Sequence, residues 1–587
     1  MSLASGAAPA KAQPPLRVIV VITLALTIAF ASLTAPYYLF GGDSARYVAL
    51  ARSLAQGNGY QLFGQPDKVF PPGFPLILVP AALFSADSFA TVARWAAMIG
   101  ALVFPATYAF ARRGTAALPI AVLTVCSAGF LELIIGNPRS EPAYMVCSLG
   151  LIAWADRGAS GPERRGRWPW TVAAGSALLL LTVATRAIGV AAVGAIALVL
   201  LERVVRPSHR RAPFPSELLL PLGAGAAFVL AWFAWGRTAA NADPDPSATL
   251  AYVRQLLLAD PHRPDLGVAS PIGFAVRILQ NLRIEASHAA ELLTQLPWLK
   301  PRWFSPPAAA ALALTVTGWR AELRRPSRVG AWYFLGYWVV LLCWPFDEGT
   351  RFLVPILPLL WLYGIEGAGR ALAAVAASSR GLRLGVIVVA SLGLMGTAIA
   401  RLALPADFSR QDQVFGLLWL LILGIALFGW ARTTAWAGAM SRRSHRTIAI
   451  AAIALYVAGG LARTVPGVVV RRPGTPLADP VAESLREASQ WISVHTPPEA
   501  TIQGTFPTQI QFATGRKTVR FPISGSPELL RHSVERYRPD FLIVLHGAQG
   551  GYYQPADSVK FTRVQAIFPG VWREAGRLSG STIYASR

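Results

Sequence analysis

The sequence predicts an α-helical, multi-pass membrane protein with a small α/β domain at its C-terminus. Of the 587 residues, 54% are hydrophobic and only 14% are charged. Apolar runs of roughly 20 residues, the length that crosses a bilayer, recur along most of the chain. Beyond residue 465 these runs stop, and helix and strand patterns alternate instead.

About thirteen apolar segments are long enough to be membrane spans. The predicted spans lie near 17–39, 88–111, 115–134, 141–155, 168–185, 187–202, 217–236, 305–319, 329–346, 352–369, 384–404, 413–431 and 447–465. The first run is long for a cleaved signal peptide, so we interpret it as a retained span. Arg186 alone separates the fifth span from the sixth, and we interpret these as two short helices that meet at the outer surface.

Basic clusters follow every even-numbered span, from Arg112 and Arg113 after the second to Arg442 and Arg443 after the twelfth. Short cytoplasmic loops retain Lys and Arg, so the N-terminus is predicted to be cytoplasmic and the C-terminus periplasmic. The same clustering accounts for the net charge of +24. Because the charge is confined to short loops between spans, we exclude a nucleic-acid partner.

This topology divides the chain into three parts. They are a cytoplasmic segment (1–16), a membrane domain (17–465) with periplasmic loops at about 40–87 and 237–304, and a periplasmic α/β domain (466–587). In the last part, Asp479-Pro480 predicts the start of a helix, and Phe541–Leu545 reads as a buried strand.

The first candidate for chemistry is Asp43, which follows the first span within Phe40-Gly41-Gly42-Asp43-Ser44-Ala45-Arg46-Tyr47. One interpretation is a general base at the membrane surface, where a lipid presents its head group. The other is an N-cap for a helix over Ala45–Leu54. The residues alone leave both open. Tyr47 lies on the apolar face of that helix, where packing is the favoured role, and Tyr60 ends the turn behind it.

Four further candidates lie on the same side of the membrane. Lys68 precedes a rigid Pro71-Pro72 turn and could bind a lipid phosphate, or it could be an ordinary interfacial lysine. Arg139 and Glu141 stand between two spans, where Ser140 or Glu141 would also suit a helix cap. Arg186 interrupts an apolar run, which costs roughly 2.5–3.5 kcal/mol on insertion scales and calls for an anionic partner.

Arg351 ends another outer connection, Asp347-Glu348-Gly349-Thr350-Arg351. An internal salt bridge from Asp347 or Glu348 to Arg351 is as good an interpretation as a role in a site. Acids and bases that converge on one outer face suit group transfer from an anionic lipid. A carboxylate would take a proton from the acceptor, and cations would stabilise the departing phosphate.

These motifs, in this order and spacing, resemble the GT-C superfamily of polyprenyl-phosphate-dependent glycosyltransferases. Within it the chain is similar to the aminoarabinose lipid A transferases, the protein O-mannosyltransferases and their bacterial relatives. The matching pieces are Gly42-Asp43-Ser44-Ala45-Arg46-Tyr47, Gly57-Asn58-Gly59-Tyr60, Lys68 before Pro71-Pro72-Gly73, Arg139-Ser140-Glu141-Pro142, Thr185-Arg186-Ala187-Ile188-Gly189 and Arg351-Phe352-Leu353.

The resemblance implies an inverting, single-displacement transfer in which Asp43 is the base. It also implies a second acid at Glu141 and phosphate contacts from Lys68, Arg186 or Arg351. Two departures matter. Ser44 replaces the second acid of the mannosyltransferase Asp-Glu pair, which speaks against a protein acceptor. Val69-Phe70 separates Asp67-Lys68 from Pro71, so the resemblance does not carry metal binding over to Asp67.

We therefore predict a multi-pass protein of the bacterial inner membrane that transfers a sugar on its periplasmic side. The donor would be a polyprenyl-phosphate sugar, the acceptor a lipid, glycan or other envelope molecule, and membrane lipids would surround the protein. The candidate catalytic residues are Asp43 and Glu141. The candidate substrate-binding residues are Lys68, Arg139, Arg186, Arg351, Tyr47 and Tyr60. No cofactor is required, and a divalent cation is left open. The alternatives are a transporter or flippase of lipid-linked sugars and a non-catalytic relative.

Overall fold

The computed structural model of the protein describes most of the chain. The described residues are 14–85, 88–112, 116–158, 168–205, 216–238, 252–260, 263, 266–295, 306–325, 328–377, 442–469, 477, 479–523, 525–546 and 555–587. Two predicted spans, 384–404 and 413–431, lie outside these residues.

The part that precedes the tail is almost entirely helical. In chain order its elements are α1 (Leu16–Leu33), α2 (Gly42–Ala55), β1 (Gln61–Leu62), β2 (Gln65–Pro66), α3 (Gly73–Phe84), α4 (Phe89–Ala101), α5 (Val103–Ala111), α6 (Ala117–Val125), α7 (Ala128–Ile135), α8 (Glu141–Gly158), α9 (Trp168–Thr185), α10 (Val190–Val205), α11 (Leu219–Thr238), α12 (Tyr252–Leu257), α13 (Pro271–Thr294), α14 (Pro306–Glu322), α15 (Val329–Cys343), α16 (Leu357–Ala376) and α17 (Arg442–Val469).

The apolar runs within the described residues form helices, as predicted. Four helical segments are long and apolar enough to cross a membrane, and α6 with α7, which meet at a 52° bend, make a fifth. Four more apolar helices are shorter, with 10–17 residues. This is a multi-pass membrane protein. Shorter apolar helices are consistent with spans that bend or pack around one another rather than crossing as isolated rods.

The separation of the fifth and sixth spans is confirmed. Helix α9 ends at Thr185, and Arg186 has an extended backbone with φ −147° and ψ 141°. A short 3₁₀ turn, Ala187–Gly189, leads into α10. A Cβ on Gly189 would lie 2.6 Å from the carbonyl oxygen of Thr182, so the tight return depends on glycine there.

The segment between α1 and α4 contains more structure than the sequence predicted. Helix α2 begins at Gly42 rather than Ala45 and ends at Ala55. Helix α3 was not predicted, because its Pro-rich start reads as a turn. Pro75 lies in the first turn, where an amide proton is not needed, and Pro80 lies inside the helix. Tyr47 of α2 and Phe74 and Leu78 of α3 share one buried cluster.

The tail is the small α/β domain that the alternating pattern predicted. Its elements are α18 (Pro480–His495), β3 (Thr501–Gly504), α19 (Pro507–Thr514), β4 (Lys517–Arg520), α20 (Pro527–Tyr537), β5 (Phe541–Leu545), α21 (Asp557–Ile567), β6 (Trp572–Arg577) and β7 (Ser581–Ser586). The strand order is β4-β3-β5-β7-β6, with β3 parallel to β4 and β5 and the other pairs antiparallel. Asp479 caps α18 by accepting from the Val481 amide, which confirms the predicted start.

Candidate active site

The site is built around the first turn of α2. Gly41 is extended at the N-cap, and no side chain caps the helix. The expectation that Asp43 is the N-cap is therefore wrong, since Asp43 lies inside the first turn. A Cβ on Gly41 would lie 2.6 Å from Nδ2 of Asn137, and Asn137 Oδ1 accepts from the Leu39 amide at 3.0 Å. Glycine at position 41 lets the chain pass this close to the segment that leads into α8.

The Asp43 carboxylate is held by two arginines. Arg351 Nη2 donates to Oδ2 at 2.6 Å, and Arg139 Nη1 lies 3.6 Å from the same oxygen. The side chain of Asp43 keeps 35% of its surface exposed. Burial raises the pKa of Asp43, but the positive charges of Arg351 and Arg139 outweigh it and leave the pKa below its ordinary value. Asp43 is therefore ionised at neutral pH.

Glu141 is the buried acid of the cluster. It begins α8, and its side chain has no exposed surface. Arg186 Nη1 lies 2.8 Å from Oε1, and Arg351 Nε donates to the same oxygen. Oε2 is buried and has no hydrogen-bond partner among the described residues. Two guanidinium groups on one oxygen compensate a charge that would otherwise be too costly to bury.

Ser140 ties this cluster to α2. Its hydroxyl accepts from Arg186 Nη1 at 2.9 Å and lies 3.0 Å from the Tyr47 hydroxyl. Burial raises the pKa of Tyr47 to about 12, so the phenol stays neutral. The Tyr47 ring stacks on Phe70 with centroids 4.9 Å apart. These contacts agree with a packing role for Tyr47, whose hydroxyl contacts Ser140 rather than an acid.

Arg351 connects the cluster. Besides Asp43 and Glu141 it contacts Glu348 across 3.4 Å. Three arginines and three carboxylates thus meet at one place, and their formal charges cancel. They are Arg139, Arg186, Arg351, Asp43, Glu141 and Glu348. The guanidinium carbons of Arg186 and Arg351 also lie 5.6 and 5.8 Å from the centroid of the Phe352 ring.

The predicted internal salt bridge is confirmed only for Glu348. Asp347 pairs instead with His288 of α13, whose Nε2 lies 3.1 Å from Oδ1. Burial raises the pKa of Glu348, and the Arg351 charge only partly offsets this. Sequence reasoning offered Glu348 as a partner of Arg351 and missed it as a member of the acidic group around Asp43. The signal was its position three residues before an arginine at an outer junction.

Lys68 and Tyr60 are not brought into the cluster. Lys68 is half-buried and makes no ion pair within the described residues. The Tyr60 hydroxyl donates to the Phe70 carbonyl at 2.7 Å. Their neighbour Asp67 is buried, pairs with Arg46 and accepts from the amides of Val69 and Phe70 at 2.9 and 3.1 Å. The Asp67 carboxylate is therefore occupied in holding the loop to α2, and substrate binding by Lys68 and Tyr60 stays a prediction.

No metal site stands out. Within the part of the chain that the structure describes, no three His, Cys, Asp or Glu side chains are grouped as metal ligands. The carboxylates of the cluster all face arginines. A divalent cation at this site stays an open question.

The helical part of the chain, followed by the tail sheet, has the same fold as two solved structures, each over 97% of this chain. One is ArnT from Cupriavidus metallidurans bound to undecaprenyl phosphate, with TM-score 0.52, 14% identity and 97% of each chain covered. The other is the same protein in the apo state, with TM-score 0.52, 13% identity and 97% and 98% covered.

A more distant match is the oligosaccharyltransferase AglB from Archaeoglobus fulgidus, in complex with an inhibitory peptide and a dolichol-phosphate. Its TM-score is 0.49 at 12% identity, with 90% of this chain and 69% of that chain covered. No protein-family model and no curated protein sequence matches the chain. At these identities the similarity to the ArnT structures establishes the fold, and the chemistry has to be argued from the site.

Proposed function

We propose that this protein is a glycosyltransferase that moves a sugar from a polyprenyl monophosphate to a lipid, glycan or other envelope acceptor on the periplasmic side of the membrane. One observation carries the proposal. An ionised, partly exposed aspartate, Asp43, shares a single cluster with three arginines that come from three different connections between helices. A chain that needed only packing here would not gather six charged side chains in one cluster.

Asp43 is suited to be the base. Both of its ion pairs use Oδ2, and no described residue is found paired with Oδ1. Oδ1 can therefore accept the proton of an acceptor hydroxyl or amine. As that proton moves to Asp43, the acceptor atom attacks the anomeric carbon, and the bond from that carbon to the phosphate oxygen breaks. The electron pair leaves with the polyprenyl phosphate, and the configuration at the anomeric carbon inverts.

Arg139 is suited to bind the departing phosphate. Burial and the neighbouring Arg351 charge lower the pKa of Arg139, which indicates that Asp43, at 3.6 Å, compensates it incompletely. By contrast, Glu141 and Asp43 raise the pKa of Arg351 well above its ordinary value despite burial. A bound anion would therefore be stabilised most beside Arg139, whose planar guanidinium can donate to two phosphate oxygens at once. Arg351 could reinforce it by exchanging one carboxylate for the phosphate.

Glu141 is better suited to orient the arginines than to exchange protons. Among the described residues, only its Oε1 is hydrogen-bonded, to Arg186 and Arg351, and the side chain is fully buried. A fixed carboxylate there holds both guanidinium groups in place before substrate arrives, which lowers the reorganisation needed when charge develops on the phosphate.

The test compares envelope lipids and glycans from cells with and without the gene for this protein, by mass spectrometry. We expect a glycosyl mass to disappear from one envelope component and to return on complementation. Polyprenyl-phosphate sugar should accumulate in the deletion strain, because its consumer is missing. Identical envelope profiles in both strains would overturn the proposal.

A further inference from the structure

The tail contacts the catalytic helix directly. Helix α19 packs on α2, and its Phe512 ring lies 4.9 Å from Tyr38 and 6.2 Å from Phe89, centroid to centroid. The guanidinium carbon of Arg52, in the last turn of α2, lies 5.1 Å from the Phe512 centroid. A single half-buried ring of the tail thus contacts both the C-terminal end of α2 and the segment that leads into it.

The other end of α2 meets the tail as well. A Cβ added at Gly42 would lie 2.8 Å from Nε2 of Gln509. The Gln509 amide therefore lies against the residue that directly precedes Asp43. Asn137 contacts the preceding residue, Gly41, in the same way. The start of α2 is therefore in contact with an amide of the membrane domain and an amide of the tail.

The chain just before α2 is also anchored in the tail. Phe40 packs against the core formed by α18, α19 and strands β3, β5 and β7. Its backbone lies in the left-handed region, with φ 55°. A non-glycine residue there costs on the order of 1 kcal/mol or more and persists only when its surroundings fix it. Here the surroundings belong largely to the tail.

We propose that α19 is a positioning element for Asp43: Gln509 and Phe512 hold α2 in the orientation in which the aspartate meets the arginines and the substrate. This rests on the proposed function of Asp43. It assigns the tail a role in catalysis through its contact with α2. Misplacing a reacting group by about 1 Å can lower a rate on the order of a hundredfold, so loss of this contact should reduce turnover rather than donor binding.

The first test measures hydrogen exchange of α2 in the full-length protein in lipid nanodiscs, which requires no substrate. Phe512→Ala and Gln509→Ala should speed exchange of the amides in 42–55 by about tenfold, since local opening follows the contacts that resist it. Phe512→Tyr should preserve slow exchange. Phe568→Ala is the matched control, because Phe568 is a half-buried tail ring that packs on the opposite cluster of the domain. Unchanged α2 exchange in Phe512→Ala would overturn the proposal.

The second test links α2 to the product. Complementation with Phe512→Ala should lower the envelope glycosyl product, per molecule of protein, by about tenfold or more. Phe512→Tyr and Phe568→Ala should leave it near the wild-type level, and affinity for undecaprenyl phosphate should stay within about twofold in all three.

If α2 loosens and the product is unchanged, the positioning role is wrong while the proposed function stands. If the deletion strain itself lacks no product, the proposed function has failed instead. If Phe512→Ala chiefly weakens retention of the acceptor, the tail is an acceptor-docking surface and the positioning role is wrong.

Gly42 offers a reciprocal test. Gly42→Ala should also speed α2 exchange, because the new methyl group displaces the Gln509 amide. Adding Gln509→Ala should then speed α2 exchange little further, since the contact between the two residues is already lost. Fully additive effects of the two substitutions on exchange would mean that the two residues do not act on each other.

Discussion

Arg351 Nη2 donates to Asp43 Oδ2 over 2.6 Å, although 308 residues separate the two along the chain. The same guanidinium reaches Glu141 and Glu348. One side chain therefore sets the position of the candidate base, of the buried acid and of a third carboxylate. A planar fork can meet three carboxylates at once, whereas a lysine ammonium acts as a point charge.

Substituting Arg351 should separate charge from geometry. Arg351→Ala leaves Glu141 with one arginine fewer, and truncating one partner of a buried pair destabilises by about 3–5 kcal/mol. Arg351→Lys keeps the charge, so we expect a folded protein that has lost most of its transfer activity. Thermal unfolding in detergent checks the first expectation and envelope product the second. Full activity in Arg351→Lys would show that the fork is not needed.

Arg139→Ala should weaken binding of the lipid phosphate without unfolding the protein. Its side chain is 25% exposed, and the one ion pair that it makes with a described residue, to Asp43, is long at 3.6 Å. A charged hydrogen bond contributes about 1.5–3 kcal/mol, so affinity for undecaprenyl phosphate should fall by roughly tenfold to a hundredfold. Titration of purified protein in nanodiscs measures this.

Lys68→Ala is the comparison for Arg139→Ala. Lys68 makes no contact with the cluster within the described residues. Its removal should therefore change the affinity for undecaprenyl phosphate by less than about threefold, which is the size of effect expected from an exposed ion pair. A larger loss with Lys68→Ala than with Arg139→Ala would favour the sequence prediction over the geometry.

Glu285 of α13 should make stability depend on pH. Its side chain is buried, burial raises its pKa to about 7, and the charge on His288 offsets this only in part. A carboxyl with a raised pKa binds a proton in the folded state that it would release when unfolded. Stability therefore falls as pH rises from about 4.5 toward 7. His288 acts in the same direction. Burial lowers its pKa, but the hydrogen bond to Asp347 and the negative charges of Glu285, Asp347 and Glu291 together outweigh this and raise it.

The isosteric Glu285→Gln tests this pH dependence. The substitution should leave stability unchanged near pH ~4, where Glu285 is protonated in both states, and raise it above pH 7, by up to about 3 kcal/mol. Thermal unfolding between pH ~4 and ~8.5 measures the difference. Glu574→Gln, which replaces an exposed glutamate that pairs with Arg577 in the tail, is the control and should keep the pH dependence of the wild type. Parallel curves for wild type and Glu285→Gln would contradict the expectation.

The sequence predicted what depends on local pattern. The apolar runs predicted the helices, and Arg186 marked the break between two of them because a lone arginine in an apolar run needs a partner. Asp43, Glu141 and Arg351 each lie at a junction that the charge pattern predicts to be on the outer side. That predicted topology was enough to predict that they converge.

The rest depends on contacts between distant segments. Asp347 pairs with His288, 59 residues away, rather than with its neighbour Arg351, and no local sequence pattern indicates that pairing. Helix α3 was missed because Pro72 and Pro75 mimic a turn. The contacts of Gln509 and Phe512 with α2 join the tail to the first outer loop, and a side chain on a short, polar helix of the tail carries no signal for such a partner.

The most direct measurement of the central claim is the envelope glycosyl product formed by Asp43→Asn in the deletion strain, normalised to protein in the membrane. We expect the product to be lost, because the amide keeps the shape of the side chain but cannot act as the base. Affinity for undecaprenyl phosphate should stay within about threefold of the wild type. Asp479→Asn is the matched control, since Asn caps a helix as well as Asp does, and it should restore the product fully. Wild-type product from Asp43→Asn would contradict the assignment of the base and, with it, the proposed mechanism.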